Sequence, residues 1–267
     1  MTLDIDGFSG DLQKSPRTKT IYRYSLQQFD RFLDGQEPTE KLAREFIRKL
    51  RDNGNAPATI TTKGYAIRRY FRWAGKRLDL ELPPVSVGPP KYLLEDQIMR
   101  LKETASDPFE RVLIMVLYET GMRIGELLGI TRKDINWETG VIHIIRKGGH
   151  EGWVAVSHET IAAMKEYNRW RKTKPNQFFP YQYSDVRNWF MIHAKRAGLG
   201  HVTLHQLRHS RAANLRLAGQ PLEDISELLG HRSLTTTAKI YSQIGAAPLK
   251  ERLAPAPWEE SRSTTVS

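Results

Sequence analysis

Leu82-Pro83-Pro84-Val85-Ser86-Val87-Gly88-Pro89-Pro90 places four prolines in eight residues, which removes backbone donors and stops helices. The segment reads as an interdomain linker. Upstream, residues 18–33 carry Tyr22, Leu26, Phe29 and Leu33 at helical spacing, and residues 42–50 carry Ala43, Phe46, Ile47 and Leu50. The stretch from Ile60 repeats the pattern with Gly64, Ile67, Phe71 and Ala74. A small helical bundle is therefore expected over 1–82, a linker over 83–91, a larger domain over 92–250 and a tail over 251–267.

Downstream of the linker a helix is expected near 95–104, and a second has a strong start in Asp107-Pro108-Phe109-Glu110. There Asp suits the N-cap, Pro the first helical position and Glu the third. The apolar body 112–117 runs to Thr120-Gly121, where glycine closes the helix, and a short helix follows over 123–128. Residues 141–145 and 153–156 are rich in β-branched residues and flank Lys147-Gly148-Gly149-His150, which reads as a β-hairpin. Helical patterning resumes over 159–172, 184–197, 203–218, 221–229 and 233–240. The fold class is mainly α with a small β-hairpin, an α+β arrangement in two domains.

The chain has 267 residues, 39% of them hydrophobic, enough to bury a sizeable core. No apolar run approaches the roughly 18–20 residues that cross a bilayer. The N-terminal MTLDIDGFSG lacks the basic-then-apolar pattern of a signal peptide, so a cytoplasmic protein is expected. Cysteine is absent, which excludes disulfides, thiolate metal sites and cysteine nucleophiles. The formal charge of +11 favours a polyanionic partner without choosing among RNA, DNA and an acidic membrane. Residues 1–90 hold 16 basic and 11 acidic side chains, net +5, and the remainder is also basic, at net +6. On the third helix, Arg68, Arg69, Arg72 and Lys76 fall opposite the apolar stripe. A solvated face is the ordinary explanation of such a pattern, and a phosphate-binding face the functional one.

Four short elements carry possible chemistry: Thr120-Gly121-Met122-Arg123-Ile124-Gly125-Glu126-Leu127, then Lys147, then His205-Gln206-Leu207-Arg208-His209, then Leu229-Gly230-His231 followed by Tyr241. Singly, each has an ordinary structural explanation. Together they supply what metal-free attack on a phosphodiester needs. Arginine presents a planar fork to two phosphate oxygens and keeps its charge near neutrality. Forming a tyrosine phenolate at pH 7 costs about 4 kcal/mol from an ordinary pKa of about 10, so a base or a cationic setting must offset it. A histidine can take that proton. The departing 5′-oxygen needs a proton in turn, which a lysine can give.

With these motifs the chain resembles tyrosine recombinases of the Xer and phage-integrase family. The family's T-G-x-R-x-x-E-L, H-x-L-R-H and L-G-H patterns are matched at 120–127, 205–209 and 229–231, and the resemblance spans about 10–250. It implies that Arg123 and Arg208 bind the phosphate, Lys147 is the hairpin lysine, His205 and His231 are active-site histidines, Tyr241 is the nucleophile and Glu126 a supporting residue. It further implies a helical core-binding domain that closes with the catalytic domain around double-stranded DNA. Four subunits on two sites, a tail docked on a neighbour, and no metal or other cofactor also follow from it. The family's tasks include resolving chromosome or plasmid dimers and integrating or excising mobile elements. Two departures stand out. Tyr241 lies one residue further from His231 than is usual, about 100° of helix, and Arg146 precedes Lys147 where many relatives have glycine.

Other readings are separable. His205 and His209 at i, i+4, with His201 and His231 nearby, would suit a zinc hydrolase, but Gln206 stands where that motif needs glutamate. A type IB topoisomerase shares the tyrosine chemistry, and a DNA-binding protein without catalysis shares the charge. The short first domain argues against the former and the full set of six candidate residues against the latter.

Overall fold

The computed structural model describes residues 2–85, 91–146, 148–171, 176–230, 234–241 and 244. The chain forms two compact units, Met1–Val87 and Gly88–Ser267. Part of the proline-rich segment, 86–90, and the tail 251–267 lie outside the described residues.

The first unit consists of α1 (Ile5–Asp11), α2 (Pro16–Leu33), α3 (Glu40–Asp52) and α4 (Pro57–Trp73). Ser15 accepts from Thr18 N at 3.3 Å and Thr39 accepts from Leu42 N at 3.3 Å, while Pro16 and Pro57 occupy first-turn positions. The apolar stripes close on one core holding Phe8, Leu26, Phe29, Leu33, Phe46, Ile67 and Phe71. Helix α1 has no counterpart in the sequence reading, because Gly7 and Gly10 make it a poor helix former. It is held by the Asp4 cap on Gly7 N, 2.9 Å, and by burial of Phe8. Helix α4 is shorter than its basic pattern suggested. Gly75 takes φ +72° just past the Ala74 cap, so Lys76 lies beyond the helix that carries Arg68, Arg69 and Arg72.

The second unit contains α5 (Glu95–Glu103), α6 (Pro108–Thr120), α7 (Ile124–Gly129), a 3-10 turn (Arg132–Asp134), β1 (Val141–Arg146) and β2 (His150–Ala155). There follow α8 (His158–Trp170), α9 (Tyr183–Arg196), α10 (Leu204–Leu217), α11 (Leu222–Leu229) and α12 (Leu234–Tyr241). Helix α6 buries Phe109 and every residue from Val112 to Leu117, so it is apolar all round and sits among α5, α8 and α10. The antiparallel hairpin pairs Ile142 with Val154, Ile144 with Gly152 and Arg146 with His150. Ile142, Ile144 and Val154 face the core, while Ile145 and Trp153 face solvent at 54% and 62% exposure. Strand β2 begins at His150, earlier than its β-branched residues start, because ladder pairing with β1 recruits His150, Glu151 and Gly152.

Candidate active site

Three helix ends meet around Arg208: the last turns of α6 and α11 and the start of α7. Helix α6 stops at Gly121, whose φ of +59° is the left-handed conformation that glycine adopts without steric cost. This turn delivers Arg123 to the start of α7. The Glu126 side chain, only 5% exposed, accepts from Arg123 N at 2.9 Å and from Arg123 Nη1 at 2.9 Å. One carboxylate therefore caps the helix and holds the guanidinium, leaving the rest of the Arg123 fork outward at 36% exposure.

Arg208 extends from α10 and is 3% exposed. Its Nη1 donates to Gly121 O at 2.5 Å and its Nη2 to Leu229 O at 2.8 Å. Both acceptors are carbonyls at helix C-termini, which lack a partner within their own helix and carry partial negative charge. The guanidinium thus fastens the end of α6 to the end of α11. Burial first, then the charge of Arg123, brings its pKa down to about 10, and Glu126 and Tyr241 work in the opposite direction. Arg208 remains a cation at neutral pH.

His205 lies one turn earlier on α10 and still meets solvent. Desolvation, and then the charges of Arg208 and Arg123, hold its pKa below the usual histidine value. Its ring stands edge-on to that of His209, centroids 4.5 Å apart. His209 in turn meets the nucleophile candidate: Nδ1 and the Tyr241 hydroxyl form a hydrogen bond of 2.5 Å. A neutral phenol supplies the proton to the imidazole lone pair in such a contact. Tyr241 closes α12, is 1% exposed, and packs in an apolar cluster with Ala212, Ala213, Ile225 and Leu229. That burial pushes its pKa up to about 12, against the opposing effect of the Arg208 charge. In this setting ionisation at pH 7 costs about 7 kcal/mol.

Four of the six residues singled out from sequence, Arg123, His205, Arg208 and Tyr241, are thus linked through α10 and the ends of α6 and α11. Lys147 and His231 lie outside the described residues, as does the loop 231–233 that carries the extra residue before Tyr241. Two residues were passed over. His209 belongs to the quoted motif, and its i, i+4 relation to His205 was noticed only as a metal-binding pattern. Among the described residues no three His, Cys, Asp or Glu side chains converge as metal ligands. Arg146 was noted only as a departure from the usual glycine, yet its charge also acts on Arg208. In the other unit, Arg69 and Arg72 are exposed. Arg68 donates to Leu80 O and lies over the Tyr65 ring, and Lys76 pairs with Glu37 at 2.7 Å. No described helix is long and apolar enough to cross a membrane.

Residues 91–247 match the profile of the Phage integrase family, and residues 5–77 that of the Phage integrase, N-terminal SAM-like domain. The chain is 32% identical to Tyrosine recombinase XerA of Pyrococcus furiosus, covering 89% of this chain and 87% of that one. It is 30% identical to Tyrosine recombinase XerA of Pyrococcus horikoshii, covering 90% and 87%. Among solved structures, the Tn1549 transposon integrase in complex with transposon right end DNA has the same fold, with TM-score 0.74 at 20% identity over 96% of this chain and all of that one.

Proposed function

The chain belongs to the phage integrase family as an Xer-like tyrosine recombinase, and on that premise we propose that it cleaves and rejoins duplex DNA in the cytoplasm through a 3′-phosphotyrosyl link at Tyr241. One observation carries the assignment of residues: the Tyr241 hydroxyl is hydrogen-bonded on α10, the helix whose Arg208 joins the turn bearing Arg123.

In the proposed reaction Arg123 and Arg208 pair with the non-bridging oxygens of the scissile phosphate, assisted by His231. Tyr241 Oη attacks phosphorus and the bond from phosphorus to the 5′-oxygen breaks. The phenol's proton leaves through His209 or His205, and Lys147 protonates the departing 5′-oxygen. The products are a 3′-phosphotyrosine and a free 5′-hydroxyl, with phosphodiester bond energy retained in the adduct. Ligation runs the same steps backward with a 5′-hydroxyl from a partner strand, so no metal or nucleotide is consumed. Exchange requires cleaved strands on two duplexes, which suits four subunits on two sites.

The raised pKa of Tyr241 gives the resting protein a reason to be inert. A buried neutral phenol does not attack, and placing a phosphate between Arg123 and Arg208 must accompany delivery of the hydroxyl to phosphorus. Tyr241→Phe is expected to bind DNA as the wild type does and to form no covalent adduct on denaturing gels. An adduct trapped with Tyr241→Phe overturns the assignment.

A further inference from the structure

The inner face of the hairpin ends on a cation. Alternation along β1 sends Ile142 and Ile144 into the core and brings Arg146 to the same side. Across the ladder, Gly152 leaves the space that this side chain fills, because a Cβ there would stand 2.5 Å from Arg146 Nε. The guanidinium ends against Gly230, where any Cβ would collide with Nη1. The preceding residue, Leu229, offers its carbonyl to Arg208 Nη2 at 2.8 Å. Two guanidiniums therefore sit on consecutive residues of one helix terminus, and Arg123 acts on the same spot through its charge on Arg208.

The counter-charge is thin. Glu126 is the carboxylate that acts on Arg208, and it is already bound twice by Arg123. Among the described residues Arg146 has no acidic partner within ion-pair distance. Like charges brought together in a partly desolvated site raise the energy of the empty protein, and an anion placed among them relieves it. An arginine with no acidic partner among the described residues, directed inward from a strand with glycines at both places it must pass, is built to meet such an anion.

We propose that Arg146 is a third phosphate-binding arginine, contacting a non-bridging oxygen of the same scissile phosphodiester that Arg123 and Arg208 hold. This rests on the reading of Tyr241 as the nucleophile. Attack by Tyr241 adds negative charge to the equatorial oxygens, and a guanidinium already in place stabilises that charge without reorganisation. The hairpin thereby contributes two cations of different duty: Arg146 for the equatorial oxygens and Lys147 for the leaving 5′-oxygen.

The test begins with covalent capture of random-sequence duplex by the wild-type chain, which selects a cleaved sequence. Duplexes of that sequence are then made with either a phosphate or a neutral methylphosphonate at the scissile linkage. Absence of a Tyr241 adduct on the phosphate duplex overturns the underlying reading, and the proposal with it. Given that adduct, Arg146→Met is expected to slow single-turnover cleavage of the phosphate duplex roughly ten- to a hundredfold. Its loss on the methylphosphonate duplex shrinks to about threefold or less, because the charge it would neutralise is gone. Arg146→Lys, which keeps the charge without the fork, falls between. A wild-type rate for Arg146→Met on phosphate overturns the proposal. So does an equal loss on both duplexes, which would assign Arg146 only to seating Gly230. If Arg146→Met fails to fold on thermal melting, the same comparison is read from Arg146→Lys.

Discussion

His205 is partly desolvated and feels the charges of Arg208, one turn away on α10, and of Arg123 at the start of α7, and these set its response to acid. Desolvation and the charges of Arg208 and Arg123 hold its folded-state pKa below the unfolded value of about 6.5. As pH falls through that value, the unfolded chain takes up a proton that the folded chain refuses, so stability is full above the unfolded pKa and declines below it. His205→Gln cannot titrate and should lose less stability than the wild type between pH 7 and pH 5, measured by urea unfolding. Parallel curves for the two proteins would overturn the lowered pKa of His205. At this scale the sequence was most informative about identity, since Arg123, His205, Arg208 and Tyr241 were legible from residue type and order. What it could not supply was contact. The bond from His209 to Tyr241 joins residues 32 apart and depends on where α12 docks, for which one chain's patterning carries no signal. Arg146 was partly legible, because alternation with Ile142 and Ile144 already sends it inward.

The two ends of α6 make an internal comparison at the level of the element. Asp107 caps the first turn, accepting from Glu110 N at 2.8 Å, in a place remote from Arg208. Gly121 closes the last turn at φ +59°, and its carbonyl accepts from Arg208. Asp107→Ala should cost about 1 kcal/mol of stability and leave cleavage unchanged. Gly121→Ala strains a left-handed backbone by about 1–2 kcal/mol and puts a Cβ 2.9 Å from Leu229 Cδ2. It should therefore lower the cleavage rate well beyond its effect on melting temperature, because the carbonyl that fastens Arg208 moves. Equal effects of the two substitutions on cleavage would show that the end of α6 does not position the site. Both ends of this helix were readable in advance, since Asp-Pro-x-Glu and Thr-Gly are local signals. The elements that escaped, α1 and the start of β2, are stabilised by tertiary partners: Phe8 against Tyr70, with ring centroids 5.7 Å apart, and the β1 ladder against Gly152. The end of α4 was misjudged for a related reason, since charge spacing continues through Lys76 while the backbone turns at Gly75.

Across the whole molecule the positive charge is divided, with net +5 on residues 1–90 and net +6 on the rest. The residues proposed for cleavage lie in the second unit, so a basic first unit is explained if it contributes phosphate contacts and affinity. The four cations proposed for that role are unequal. Arg69 and Arg72 are exposed on α4, whereas Arg68 spends a donor on Leu80 O and Lys76 is neutralised by Glu37. Each phosphate contact releases condensed counterions, contributing about −0.9 to the slope of log affinity against log salt. In the full-length chain, Arg69→Ala with Arg72→Ala should therefore flatten that slope by about two on a random-sequence duplex. Lys76→Ala should change it less, since Glu37 already neutralises that lysine in the free protein. Adduct formation at saturating protein should be the same for the double variant and the wild type, because neither arginine is proposed to touch the scissile phosphate. Fluorescence anisotropy over a salt series separates these outcomes. A slope unaltered in the double variant would return the exposed face of α4 to solvent and leave the charge of the second unit to account for DNA binding.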